Sequence, residues 1–318
     1  MDLDTTDTQF AYWKEQAGIA IDTGLPYVIR EMSSIGPIGM DKVSNTHGAA
    51  LWTLNFCLYT ATLNISSVQM HMTDNSNSSA WQPINLYGQG PHVRPQYYAH
   101  AAIAQIIGSG NATTQIGQLD TGTVTDPTYK GRIRAFTAYS KGSLLSVTLI
   151  NSKQANASSE TKGNYTFNLD LGSDYANEEI YLSYLTAPGS DALNETTWNG
   201  LTYSDADGKA SVVNDKVTSL KTSESGNVTI VLRDSEAVVA NIGWKLGSVD
   251  VLDGQGNVAE PTRVAGLPLC TATGTTVPTG SCTTGEGQKK KGAAERMEVG
   301  WGIWGGSLMA AFALMGWI

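Results

Sequence analysis

Glu31 is the first side chain whose position suggests chemistry. It follows Leu25 to Arg30 (LPYVIR), an apolar run of strand length, and precedes a glycine-containing loop, GPIGMDK. Folds that alternate strands and helices place reacting groups at such junctions, because the loops at the carboxyl ends of parallel strands converge there. Taken alone, a carboxylate at a strand end is more often solvated or structural, so residue type and place leave both readings open. His71 stands in the matching place, at the end of Ile65 to His71 (ISSVQMH), the next run of strand length. Other chemistries lack their patterns. His47, His71, His92 and His100 have no metal-ligand spacing, and no phosphate loop or dinucleotide fingerprint occurs, so neither metal nor cofactor is expected.

The surrounding pattern indicates which elements hold these residues. Acidic and threonine residues up to Asp7 lead into an amphipathic stretch through Ile21, which Gly24 ends. Ser44 and Asn45 can cap a helix whose apolar positions Ala50, Leu51, Leu54, Cys57, Leu58 and Ala61 recur at helical spacing. Pro95 can open a third helix, through Ile107. Helix, strand, helix, strand, helix predicts parallel strands covered by helices. From about Asn111 the period changes to two: Tyr165, Phe167, Leu169 and Leu171 alternate with polar residues, as do Leu145, Val147 and Leu149, or Val228, Ile230 and Leu232. Turn clusters such as DADGK and SESGN separate these runs, which predicts an antiparallel β-sandwich up to Trp244. A Gly/Thr-rich linker follows.

Three blocks in order carry a resemblance: Glu31 with its loop, Ser44-Asn45-Thr46 with Ala49-Ala50-Leu51-Trp52, and Ala80-Trp81-Gln82-Pro83 followed by VRPQYYAHAAIAQIIG. Together they resemble the C-terminal end of the barrel in glycoside hydrolase family 79, the β-glucuronidase and heparanase-like enzymes, and the likeness runs from about Thr5 to Trp244. The fold class this implies is mixed: an incomplete (β/α)8 barrel remnant, comprising the last two strand-helix units, followed by an all-β antiparallel sandwich, then a disordered linker and a hydrophobic tail. The boundaries expected are 1–108 for the C-terminal portion of the barrel, 109–244 for the sandwich, 245–298 for the linker and 299–318 for the tail. The resemblance makes Glu31 the nucleophile of a retaining mechanism; His71, at its strand end, could face the sugar or serve as a polar cap, and Trp81 and the Tyr97-Tyr98 pair could be stacking surfaces or junction packing. The family's Glu-x-Asn-Ser reads here Glu31-Met32-Ser33-Ser34, with serine in place of asparagine. Retention needs a second carboxyl group about 5 Å away. In the family it comes from an Asn-Glu pair after strand four. Asn177-Glu178 falls in the sandwich and Asn194-Glu195 in a sequon, so the acid/base half is expected to be absent from this chain, which by itself should be inactive toward a β-glucuronide. The alternative is a non-catalytic, lipid-anchored carbohydrate-binding or structural sandwich.

Composition narrows the setting. Only 15% of the 318 residues are charged, with 20 basic against 29 acidic and a net charge of -9, which excludes nucleic-acid binding through a basic surface. Val299 to Ile318 carries no charge, and a polar stretch with Lys289, Lys290 and Lys291 lies upstream. That is the layout of a glycosylphosphatidylinositol signal, attached near Gly292-Ala293-Ala294 or Gly285 to Gly287, which implies an extracellular chain tethered to the outer membrane leaflet. A membrane helix or a buried helix remains the alternative for this segment. Sequons at Asn64, Asn77, Asn111, Asn156, Asn164, Asn194 and Asn227 suit a secreted glycoprotein. Cys270 and Cys282 could close a small disulfide loop, whereas Cys57 reads as a buried free thiol. The first residues, MDLDTTDTQFAYWKEQ, have no signal-peptide character, so the chain reads as the C-terminal part of a longer protein. Nothing in the sequence sets an oligomeric state.

Overall fold

The computed structural model describes residues 2–247 apart from 74, 75, 87, 110–112 and 123. Residues 299–318, expected to form an anchor signal, Cys270, Cys282, Asn111 and nearly all of residues 245–298 therefore lie outside the described residues.

The N-terminal part begins with α1 (Leu3–Asp22), capped by Asp2, whose carboxylate accepts from the amides of Asp4 and Thr5. Next come β1 (Val28–Met32), α2 (His47–Thr62) and β2 (Ser67–Met70). β1 and β2 pair in parallel, with α2 as the crossover that parallel strands require. A short antiparallel pair, β3 (Trp81–Gln82) and β4 (His92–Val93), leads to α3 (Pro95–Gly108), which has proline in its first turn.

Two sequence expectations shift here. The first strand starts at Val28 rather than Leu25, because pairing with Ser67 begins there and Leu25 stays 66% exposed; Glu31 is thereby inside the strand, not just past it. The cap of α2 is Thr46, whose hydroxyl accepts from the Ala49 amide, while Ser44 is committed to the preceding loop, accepting from the Met40 amide.

The remaining strands are β5 (Thr114–Leu119), β6 (Ile133–Ser140), β7 (Ser143–Asn151), β8 (Asn164–Asp170), β9 (Glu179–Thr186), β10 (Thr197–Trp198), β11 (Leu201–Tyr203), β12 (Ala210–Val212), β13 (Thr218–Lys221), β14 (Asn227–Arg233) and β15 (Glu236–Ile242). Nine of them form one antiparallel sheet in the order β12-β11-β10-β9-β15-β7-β6-β5, with β13 also on β9. β8 and β14 form a separate two-stranded ribbon.

The ribbon covers one face of the large sheet, where Val147, Leu149, Val238 and Ala240 meet Phe167, Ile230 and Leu232. The helices cover the other, where Phe136, Ile150, Leu185 and Val239 meet Leu51, Leu54, Leu58, Ile103 and Ile106. The arrangement is thus helix layer, sheet, ribbon, rather than two comparable sheets. Burial explains the pattern. β8 and β14 alternate exposed residues with buried or half-buried ones, whereas β15 is buried from Ala237 to Ile242 because both of its faces are covered. α1 is tied on by ion pairs of Arg134 with Asp4 and Asp7, and by the Leu3 amide donating to the Gly131 carbonyl.

Candidate functional site

Glu31 sits at an irregularity in the β1–β2 pairing. Ile29 is opposite Val68 and Met32 is opposite Met70, so β1 carries one residue more than β2 between those partners. Glu31 takes up the excess with φ 57, the left-handed region that non-glycine residues enter at a cost of about 1–3 kcal/mol. Its side chain is exposed, and among the described residues no hydrogen bond or ion pair engages the carboxylate. A bulge of this kind re-aims one side chain without ending the strand.

The loops after β1 and β2 are fastened to each other beside it. The His71 amide donates to the Met32 carbonyl at 2.8 Å, placing His71 directly after the strand pair that carries Glu31. His71 Nδ1 lies 3.2 Å from Ser76 Oγ, which in turn donates to the Ile38 carbonyl and accepts from the Ser78 amide. The Asn77 amide also donates to Ile38 O, at 2.8 Å. Ser34 Oγ donates to Ser44 Oγ at 2.9 Å. Gly39, at φ 77, permits this approach: a Cβ there would stand 2.8 Å from the Ser44 Cβ and closer still to Ser78 Oγ. Ser33, which stands where the resembled family has asparagine, uses its hydroxyl to close its own turn onto Ile35 O at 2.7 Å.

Trp81 is placed differently. Its indole donates to the Asp205 carbonyl at 3.0 Å and its ring meets Tyr97 edge-on at 6.4 Å. Tyr97 and Tyr98 also face the 202–208 hairpin, through Gly208 O and Thr202 Oγ1 respectively. The structure therefore groups Glu31 with His71 on the two parallel strands, and Trp81 with Tyr97, Tyr98 and Tyr203 at the junction with the large sheet.

One residue with a positioning role escaped the sequence reading. His47, fully buried, has Nε2 3.2 Å from Ser235 O and Nδ1 3.4 Å from Thr196 Oγ1. Burial pulls its pKa down to about 4, so the ring is neutral in the folded state. The amides of His47 and Gly48, unpaired within α2, donate to Ala192 O and Ser190 O at 2.8 Å each. The loop carrying Ser34 and Ser44 thus ends on a helix whose start is bolted to the sheet domain. A histidine followed by Gly48 was the sequence signal for this, and its partners lie 188 and 149 residues away in the chain.

Cys57 is a free thiol on α2 whose pKa burial pushes up to about 12, making it an inert packing group. Among the described residues no group of three His, Cys, Asp or Glu side chains is arranged to hold a metal ion, and no helix is long and apolar enough to cross a membrane. Asn156, Asn164, Asn194 and Asn227 are exposed, whereas Asn64 and Asn77 are partly buried and Asn64 Oδ1 is shut off from solvent.

Residues 135–239 match the glycosyl hydrolase family 79 C-terminal beta domain. The chain is 30% identical over 190 residues to a β-glucuronidase of Aspergillus niger, covering 57% of this chain and 34% of that protein. It is 28% identical over 251 residues to a β-glucuronidase from a strain assigned to Neurospora crassa, covering 70% of this chain and 44% of the other. It thus spans less than half the length of these curated relatives. Among solved structures, a 4-O-α-L-rhamnosyl-β-D-glucuronidase from Fusarium oxysporum, in complex with Rha-GlcA, superposes with a TM-score of 0.61 at 20% identity, covering 74% of this chain and 47% of that one. The resemblance to the C-terminal part of fungal family 79 proteins, read first from the three blocks, therefore holds.

Proposed function

We propose that this chain is the C-terminal part of an extracellular retaining glycoside hydrolase acting on β-glucuronides, with Glu31 as the nucleophile. The observation that carries the reading is the bulge: a carboxylate held left-handed, exposed and free of partners, on the strand pair that also ends in His71. Strain of this kind persists where the surrounding structure over-determines it, and it gathers at reactive sites. The similarity to two β-glucuronidases supplies the substrate class.

In this reading residues 1–108 are the last two strand-helix units of a (β/α)8 barrel and 109–244 its companion β-domain. The Glu31 carboxylate attacks the anomeric carbon, the leaving oxygen takes a proton from a second carboxyl group, and water then hydrolyses the glycosyl ester. His71, fixed by Met32 O and Ser76, is placed to contact the sugar. The second carboxyl belongs to a segment outside this chain, because Glu178 lies beside β9 and Glu195 in the loop before β10, both in the sheet domain. The 318 residues alone should therefore be inactive. Turnover of an aryl β-glucuronide by three polypeptides tests this: the chain itself, an N-terminally extended protein, and the extended protein carrying Glu31→Gln. The expectation is no turnover, turnover, and a loss of roughly 10³-fold or more. Robust turnover by the 318-residue chain overturns the incomplete site; an unaffected Glu31→Gln protein removes Glu31 from the chemistry.

Lipid anchoring through the 299–318 segment, with that segment removed, belongs to the same proposal, as does glycosylation at the four exposed sequons. Release of the protein from membranes by a phosphatidylinositol-specific phospholipase supports it. Release by detergent alone assigns a membrane helix instead.

A further inference from the structure

The contacts of Ser76, in the loop after β2, fix more than the place of His71. Ser76 is 1% exposed. Its Oγ has three neighbours at hydrogen-bond distance: the Ser78 amide at 3.1 Å, the Ile38 carbonyl at 3.3 Å and His71 Nδ1 at 3.2 Å. A serine hydroxyl holds one proton and two lone pairs, so it donates once and accepts twice. The Ser78 amide only donates and the Ile38 carbonyl only accepts, which commits one lone pair to Ser78 and the proton to Ile38. The remaining lone pair meets Nδ1, and that contact is attractive only when the ring carries its hydrogen there. With the hydrogen on the other nitrogen, the hydroxyl would have to turn from Ile38 to Nδ1 and leave two oxygens facing each other at 3.3 Å.

The groups around Ser76 are themselves held. The Ile38 carbonyl also takes the Asn77 amide at 2.8 Å, and the His71 amide donates to Met32 O at 2.8 Å, so the ring's backbone and the acceptor beyond the serine are both tied. His71 is only partly buried, and among the described residues its one side-chain hydrogen bond is at Nδ1. A neutral ring with its hydrogen on Nδ1 presents a bare lone pair at Nε2, which is an acceptor.

We propose that Ser76 is a positioning residue that holds the neutral His71 ring with its hydrogen on Nδ1, so that Nε2 accepts a hydrogen bond from a hydroxyl of the glucuronate ring. The sugar contact rests on the glycosidase reading of Glu31, whereas the state of the ring does not. An acceptor at Nε2 selects a hydroxyl over the uronate carboxylate, because an ionised carboxylate has no hydrogen to give. A ring with its hydrogen on Nε2 would select the opposite.

The test reads the ring nitrogens directly. The 318-residue chain is labelled with nitrogen-15 histidine and observed at about pH 8.5, above the range in which imidazoles ordinarily titrate; a nitrogen that bears hydrogen then resonates far from one that does not. His71→Gln identifies the His71 signals by their loss. The parent should show hydrogen on Nδ1 and a bare Nε2, Ser76→Ala should lose that preference, and Ser76→Thr, which keeps the hydroxyl, should retain it. Hydrogen on Nε2 in the parent, or an unchanged ring in folded Ser76→Ala, overturns the proposal; if Ser76→Ala does not fold, the parent spectrum decides. Added to the N-terminally extended protein, sodium glucuronate should shift Nε2 saturably and leave the hydrogen on Nδ1. Ser76→Ala should weaken that binding about 3- to 10-fold, the worth of one neutral hydrogen bond. Hydrogen appearing on Nε2 as glucuronate binds assigns a carboxylate contact and overturns the hydroxyl contact, and no shift at either nitrogen removes His71 from the sugar. If Glu31→Gln leaves turnover unaffected while these resonances behave as expected, the nucleophile reading falls and the role of Ser76 stands.

Discussion

The two regions of this molecule are finished to different degrees. The nine-stranded sheet has the ribbon on one face and helices on the other, and its central strand β15 is buried over six consecutive residues. The region around β1 and β2 is covered from one side only. Phe10, Ile29, Phe56, Leu63 and Ile65 make a small cluster there, while Tyr12, Ile19, Leu25, Ile38 and Met40 remain exposed. Two parallel strands form a marginal unit, because parallel sheets ordinarily have both faces buried. The contrast teaches that the sheet domain carries its own core, whereas the strand pair holding Glu31 borrows stability from α2, whose other side packs on the sheet.

Substitution in the two cores should expose this difference most strongly. Trp198 is fully buried and its indole donates to Gln105 Oε1 at 2.7 Å. Trp198→Ala should cost about 3–5 kcal/mol and lower the main unfolding transition. Phe10 stacks on Tyr59 with centroids 3.9 Å apart, and Phe10→Ala removes a side chain of similar weight. Its effect should appear chiefly as faster hydrogen exchange in α1 and β1, with β7, β9 and β15 unchanged. Equal loss of protection in both regions would show a single cooperative unit and remove the contrast.

The seam between the regions should respond to pH. His47 has a folded-state pKa of about 4 against about 6.5 unfolded, so below pH 6.5 the unfolded chain binds more protons. The stability gained by keeping it neutral is present above pH 6.5 and is lost as pH falls toward 4, at most about 3 kcal/mol. His100 shifts in the same direction and also to about 4, but it keeps partial solvent access, so its share should be smaller. Chemical denaturation of the parent and of His47→Gln between pH 7.5 and pH 4 separates them. The parent's decline should be visibly flatter in the variant, and identical slopes would place the titration elsewhere.

The smallest effect concerns the bulge itself. Glu31→Gly should relieve the left-handed strain and stabilise the strand pair by about 1 kcal/mol, read as slower exchange in β1 and β2. No gain, or a loss, would mean that the side chain contributes contacts beyond its carboxylate.

Much of this was legible in the sequence because local period reports burial. Helical spacing placed α2, and strict alternation placed β8 and β14, whose outer faces meet water. What the sequence hid depends on partners distant in the chain. The bulge exists only in the register between β1 and β2, so Glu31 reads as a strand end in one dimension and as a strained interior residue in three. Ser44 looks like a cap, but its hydroxyl is claimed by Ser34 and Met40.

The central claim, that Glu31 is the nucleophile of an enzyme whose other half lies outside this chain, is tested most directly by trapping the covalent intermediate. An activated 2-fluoro β-glucuronide slows formation and hydrolysis of the glycosyl ester, so the ester accumulates and can be mapped by peptide mass spectrometry. The account predicts one adduct, on the peptide containing Glu31, in the N-terminally extended protein, and none in the 318-residue chain alone. An adduct on any other carboxylate, or labelling of the short chain at a comparable rate, would contradict it.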